Sequence, residues 1–305
     1  MRIVYLGTPE FSVAPLKKLI DCGYDVVAVV TNKDKPVGRK KIITPPPVKV
    51  FAVEHNIPVY QYDKIRLEGV EDIKNLKPDL MITCAFGQIL SQEILDIPKF
   101  GVINIHASLL PKYRGASPIH YAILNGEKHT GITIMRTDIG IDTGDILLQQ
   151  AVEIGDGETC GELFSKLSIV GAECIIKALE LVESGEAEFI RQDNDHATLT
   201  KIIKKEDALI DWADSATNIF NKIRAFNPAP IAFCYLSGQP FKIYKAHLGD
   251  KKGECGQILT ADKTLEIACG EGSLVLEVVQ KSGGSAMNIL DFLRGNKFVV
   301  GEKFV

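Results

Sequence analysis

The sequence predicts a doubly wound, Rossmann-like α/β domain with a mostly parallel sheet, followed by a small β domain. Three observations predict it. Short, fully apolar runs recur through the first half with helical segments between them, the pattern of parallel strands covered on both faces. After Trp212 the pattern changes to strand-like runs split by Gly-rich turns. The length, 305 residues, exceeds one average domain.

The elements follow in order. RIVYLG is a first strand ending in Gly7, and TPEFSVAPLKKLIDCG then spaces Phe11, Pro15, Leu16, Leu19 and Ile20 as a helix does and closes on Gly23. YDVVAVVT is a second strand. After a basic loop, PPPVKVFAVEHN opens a helix on prolines, IPVY is a short strand and EDIKNLKP is helical. DLMITCAFG and GVINIHASLL are further buried strands, and GITIMRTD and GDILLQQAVEI continue the sheet. The stretch from DGETCGELFSKL to LELVESG repeats apolar residues at 163, 167, 170, 174, 178 and 181, a long helix that closes the domain. The division expected is a catalytic domain over 1–189, a polar linker over 190–208 and a C-terminal domain over 209–305. The last opens with a helix, SATNIFNKIRAF, and continues through strands in PFKIYKAHLG, GQILTAD, TLEIACG and GSLVLEVVQ.

Composition excludes several classes. The chain is 46% hydrophobic and 24% charged, ordinary for a globular protein. No apolar run reaches the ~20 residues that span a bilayer, and MRIVYLG lacks the long apolar region of a signal peptide. Seven cysteines, none in a CxxC pair, fit reduced thiols in the cytoplasm, and no His/Cys cluster has zinc spacing, so no metal is expected. The net charge of -4 argues against a general nucleic-acid binder. Residues 1–208 carry 24 Lys+Arg against 29 Asp+Glu, and 209–305 carry 11 against 10, so any basic binding surface is local.

Within VINIHASLLPKYRG, Asn104 and His106 are two apart on a strand and share a face near its carboxyl end, where open α/β sheets bind ligands. An isolated N-x-H is more often a core histidine beside a structural asparagine. Yet an amide donor can steady an oxyanion, and an imidazole can move a proton near neutral pH. The turn DIGIDTGD, with three Asp and two Gly in eight residues, can bring Asp142 to that histidine. No GxSxG elbow is present and no GxGxxG follows the first strand, so hydrolase and dehydrogenase readings lose their usual anchors.

NIHASLLPKYRG followed by GITIMRTDIGIDTGD resembles the signature of the 10-formyltetrahydrofolate-dependent formyltransferases. The resemblance implies that Asn104, His106 and Asp142, which match the family's Asn, His and Asp, are catalytic. It implies a folate cleft lined by Phe86, Gly87 and Leu90, by Ser108, Leu109, Leu110 and Pro111, and by the loop around Asp138 and Gly140. The formyl donor is then 10-formyltetrahydrofolate, with no metal.

The acceptor turns on the basic loop. TNKDKPVGRKKIITPPPVKV holds Lys33, Lys35, Arg39, Lys40 and Lys41 within nine residues. Basic loops are usually solvated surface, but such a patch can contact several phosphates. It resembles the insertion loop with which one branch of the family grips the acceptor arm of methionyl-initiator tRNA. Phe11 matches an aromatic near the terminal adenosine in that branch, although core packing explains a phenylalanine there equally well. The resemblance runs on through KIIKKEDALIDW and RAFNPAP into 209–305, which resembles the branch's OB-like tRNA-binding module. It implies formyl transfer to the α-amine of methionyl-initiator tRNA by a cytoplasmic monomer. Two departures stand out: Ala229 replaces an aromatic common in the branch, and the loop lacks a second Gly between Arg39 and Lys40. Three rivals remain: an amino-sugar formyltransferase, a 10-formyltetrahydrofolate hydrolase, and a non-enzymatic RNA-binding module.

Overall fold

The computed structural model describes residues 1–38 and 40–305. The chain divides into two compact units. The first comprises Met1–Pro118, His129–Glu153 and Phe164–Thr200, and the second Ile119–Lys128, Ile154–Leu163 and Lys201–Val305.

In the first unit, β1 (Arg2–Gly7) and β2 (Asp25–Asn32) are followed by a short exposed hairpin, β3 (Lys35–Val37) and β4 (Ile42–Thr44). Then come β5 (Val59–Tyr62), β6 (Leu80–Cys84), β7 (Val102–His106) and the short β8 (Arg114–Gly115). β9 (His129–Arg136), β10 (Ile146–Glu153) and the two-residue β11 (Leu199–Thr200) complete the set. Seven of these form one sheet in the order β10-β9-β7-β6-β1-β2-β5. β5, β2, β1, β6 and β7 run parallel. β9 pairs antiparallel with β7, and β10 antiparallel with β9. The expected mostly parallel sheet is therefore mixed at one edge.

The chain leaves β1 toward β5 and then returns to place β6 and β7 on the other side, so the strand order reverses between β1 and β6. Ligands of open α/β sheets sit outside the carboxyl ends at such a reversal. The apolar strands of this sheet bury Ile3, Val4, Leu6, Met81, Ile82 and Ile103 completely. The long helix Cys160–Ser184 buries Leu163, Leu167, Cys174 and Ala178 from its expected stripe, while positions 170 and 181 are half-buried. Among the described residues no helix is long and apolar enough to cross a membrane.

The second unit carries a six-stranded antiparallel sheet of β12 (Phe233–Leu236), β13 (Gln239–Gly249), β14 (Ile258–Ala261), β15 (Leu265–Ala268), β16 (Ser273–Lys281) and β17 (Met287–Asn288). Helix Ala216–Ala225 begins at Ser215, whose hydroxyl accepts from the Asn218 amide at 3.2 Å, a regular N-cap. Trp212, Ile219, Phe241, Ile243, Leu274, Phe292 and Phe304 share its core. Periodicity does not predict β12, β17 or the closing helix Ile289–Gly295, because four-, two- and seven-residue pieces are too short to show a period.

β9 and β10 frame the turn that carries Asp142, and their pairing needs glycine at position 131. A Cβ there would stand 2.3 Å from the Gln150 carbonyl oxygen and 2.5 Å from Leu109 Cδ2. Gly131→Ala is expected to lose about 1–3 kcal/mol by overpacking. Urea unfolding followed by far-UV circular dichroism measures it, and an unchanged midpoint would contradict the close approach.

Candidate active site

β7 delivers two polar side chains to one face of the sheet edge. Asn104 lies in register with Thr83 of β6, and the Thr83 hydroxyl donates to Asn104 Oδ1 at 2.9 Å. That contact fixes the amide, and among the described residues nothing accepts from Asn104 Nδ2. Its two hydrogens are free for an incoming oxygen.

His106 is buried, 6% exposed. Its Nε2 lies 3.0 Å from the Tyr113 carbonyl oxygen. A carbonyl only accepts, so Nε2 carries a hydrogen and proton exchange is left to Nδ1. Nδ1 stands 3.6 Å from Asp142 Oδ2, an ionic approach longer than a hydrogen bond.

Asp142 arrives on the 137–145 connection between β9 and β10. The Gly115 amide donates to Asp142 Oδ2 at 2.8 Å. Within the turn, Asp138 accepts from the Gly140 amide at 3.0 Å and from the Thr143 hydroxyl at 2.7 Å. Gly144 lets the turn close, since a Cβ there would stand 1.9 Å from the Arg136 carbonyl oxygen. Three non-glycine residues around the edge have positive φ: Ala85 at 46°, Tyr113 at 62° and Asp142 at 52°. Each such residue costs on the order of 1–3 kcal/mol and persists only where surrounding contacts impose it, commonly at functional sites. Cys84, which ends β6, is no nucleophile: burial pushes its thiol up to about 11.

A histidine with one assigned nitrogen, a carboxylate beside the other and an open amide donor can deprotonate an amine and hold an oxyanion. A family model for formyl transferase matches residues 1–179, and a model for formyl transferase, C-terminal domain, matches 202–297. The chain belongs to the formyl transferase family. A methionyl-tRNA formyltransferase of Geotalea uraniireducens (strain Rf4) is 45% identical over 304 residues, covering 99% of this chain and 97% of its own. Among solved structures, an N-formyltransferase from Helicobacter canadensis in complex with folinic acid and dTDP-3-aminofucose superimposes with a TM-score of 0.70 at 22% identity, covering 92% of this chain and 98% of that one. HypX from Aquifex aeolicus in complex with tetrahydrofolic acid gives 0.64 at 19% identity and covers 96% of this chain, which spans about half (47%) of HypX. At these identities the structural likeness is one of fold.

The other expected residues of this formyl transferase divide by burial. The Phe86 and Leu90 side chains are buried, whereas Gly87 between them is exposed. The Phe86 carbonyl accepts from Asn32 Nδ2 at 3.0 Å. Ser108 is fully buried and its hydroxyl donates to the Lys112 carbonyl. Leu110 is buried, with its amide donating to Thr133 Oγ1 and its carbonyl accepting from Gln149 Nε2. Leu109 and Pro111 are half-buried, and Asp138 and Gly140 are exposed. The segments 85–90 and 107–111 leave the neighbouring strands β6 and β7, so both emerge at the edge that holds Asn104 and His106.

Lys35, Lys40 and Lys41 are exposed on or beside the β3–β4 hairpin, and among the described residues none makes a salt bridge. Lys33 is bound to Asp63, so its charge is partly neutralised. Arg39 lies outside the described residues. Phe11 is buried, 3% exposed, and packs edge-on against Phe164 at 5.0 Å.

Several contributors carry no sequence signal. Thr83 orients Asn104 from another strand, and the groups that hold His106 and Asp142 are the backbone carbonyl of Tyr113 and the backbone amide of Gly115. Asp142→Ala removes the acceptor of the Gly115 amide. Its hydrogen exchange is expected to quicken by about tenfold or more. Exchange measured by NMR tests this, and unchanged protection would mean the carboxylate does not hold that amide.

Proposed function

We propose that this protein transfers the formyl group of 10-formyltetrahydrofolate to the α-amine of methionyl-initiator tRNA, giving formyl-methionyl-tRNA and tetrahydrofolate. The observation that carries the acceptor is the 45% identity to a methionyl-tRNA formyltransferase over 99% of the chain, which takes in the basic hairpin and the second unit as well as the site. The basic hairpin is what an amino-sugar acceptor would leave unexplained.

In the proposed reaction the amine nitrogen bonds to the formyl carbon and the carbonyl oxygen takes up the displaced electron pair. Asn104 Nδ2 donates to that oxyanion. The Nδ1 of His106, backed by Asp142, receives the amine proton and returns it to N10 of the folate as the C–N10 bond breaks. Supporting this assignment, the Nε2 hydrogen of His106 is already engaged by Tyr113. The segments 85–90, 107–111 and 138–140 line the folate cleft, and backbone groups there that are not already paired within the protein read the pterin edge. Lys35, Arg39, Lys40 and Lys41 contact tRNA phosphates, and 209–305 acts as an OB-like tRNA-binding module, with 1–189 catalytic. The reading is of a cytoplasmic monomer.

Formylation of methionyl-initiator tRNA, followed with an uncharged tRNA control, tests the reading. Tetrahydrofolate release with both tRNAs would make water the acceptor and overturn it. His106→Ala and Asn104→Ala are each expected to lower kcat by about 10²–10³-fold while the protein stays folded; normal turnover in His106→Ala removes the mechanism.

The hairpin is tested separately. Lys40→Ala combined with Lys41→Ala is expected to raise the apparent KM for tRNA and to leave folate binding unchanged. The slope of log affinity against log salt should fall by up to about one for each lysine–phosphate pair removed. Weakened folate binding with unaltered tRNA affinity would reverse the assignment.

A further inference from the structure

The segment 190–208 has the polar, irregular composition of a linker, yet its first half is ordered on the candidate site. Ile190 bridges Ile146, and β11 pairs in parallel with β8. Between these points Gln192 is buried, 5% exposed, and spends its whole amide on protein. Its Nε2 donates to the carbonyl oxygens of Asp142 at 2.9 Å and Gly144 at 2.7 Å. Its Oε1 accepts from Arg114 Nε at 3.0 Å and Nη2 at 2.7 Å. Two donors and two acceptor sites are all filled, so the amide has one orientation. Arg114, itself 6% exposed, also donates to Asn194 Oδ1 at 2.8 Å.

Further along, the same segment grips the other side of the site. The Tyr113 amide donates to Thr198 Oγ1 at 2.8 Å, the Arg114 amide to the Thr198 carbonyl at 2.9 Å, and the Thr200 hydroxyl to the Arg114 carbonyl at 3.0 Å. Tyr113 and Gly115 are the residues whose backbone groups hold His106 Nε2 and Asp142 Oδ2. One segment therefore fastens both the turn that carries Asp142 and the strand that aims His106.

We infer that residues 192–200 are a positioning strap for the His106–Asp142 pair, with Gln192 as its principal residue. The strap sets the 3.6 Å approach of Nδ1 to the carboxylate by fixing the two backbone pieces on which it depends. Gln192 touches no substrate; it acts through Asp142. The inference rests on the proposed catalytic role of that pair.

Gln192→Glu is the discriminating variant. A carboxylate keeps the contacts to Arg114 but presents oxygens to the Asp142 and Gly144 carbonyls, so only the hold on the turn disappears. The expected result is a kcat lowered about 10- to 100-fold, the scale of a small misplacement of reacting groups. The KM for the formyl donor and for methionyl-tRNA should stay within about twofold, and Tm should fall by only about 2–4 °C. In an Asp142→Asn background the same substitution should cost less than about threefold more, because the two act as a unit. A role confined to stability would instead lower Tm and leave kcat alone. Wild-type kcat in Gln192→Glu, alongside an impaired Asp142→Asn, overturns the strap and spares the catalytic reading. An unimpaired Asp142→Asn overturns both. If Gln192→Glu does not fold, Thr198→Val, which removes the acceptor of the Tyr113 amide, decides by the same kcat and KM readouts.

Discussion

The hydrogen bond from His106 Nε2 to the Tyr113 carbonyl is the constraint on which the site depends. It assigns the imidazole's two nitrogens. One is occupied by a backbone acceptor, and the other is left facing Asp142. A backbone carbonyl cannot donate, so it keeps a hydrogen on Nε2. Tyr113 makes that hydrogen bond at φ 62°, and its backbone is held by the Thr198 hydroxyl on the Tyr113 amide and by the β8–β11 pairing beyond it. The geometry of the candidate site is built from backbone, with side chains of distant segments holding the backbone in place.

The basic hairpin is rooted with similar care. Asn32, at the end of β2, donates to the Phe86 carbonyl and accepts from Gln88 Nε2, so the base of the hairpin is tied to the 85–90 segment. Gln61 reaches from β5 to the Asn32 carbonyl and to Asp34. Lys49 donates to both oxygens of Asp34 and holds its carboxyl below the usual range. The strands of the hairpin are exposed, but Asn32 and Asp34 at its entry are held by β5 and by the 85–90 segment.

Much of this was legible in the chain. Near-continuous apolar runs such as VVAVV and LMITC show parallel buried strands because strands covered on both faces dispense with polar alternation. Asn104 and His106 stand out because two polar residues interrupt such a run at a spacing of two. The short elements escaped: β3, β4, β8 and β11 have two or three residues each, below the length at which periodicity exists. Phe11 shows the limit from the other side, since an aromatic near a strand end suits either a binding surface or a core, and its burial against Phe164 is visible only in the fold.

By itself the sequence determined the fold class, the order of the longer strands and helices, and the residue types available for chemistry, because these follow from local periodicity and from side chains present in the chain. The tertiary structure alone decided which nitrogen of His106 faces Asp142, that Lys33 is paired while Lys35, Lys40 and Lys41 make no salt bridge among the described residues, and that residues 192–200 strap the site instead of merely linking two units. Each of those depends on a contact between residues far apart in the chain, or on a backbone group that every residue possesses. Such a group acquires meaning only when folding sets it beside one particular partner.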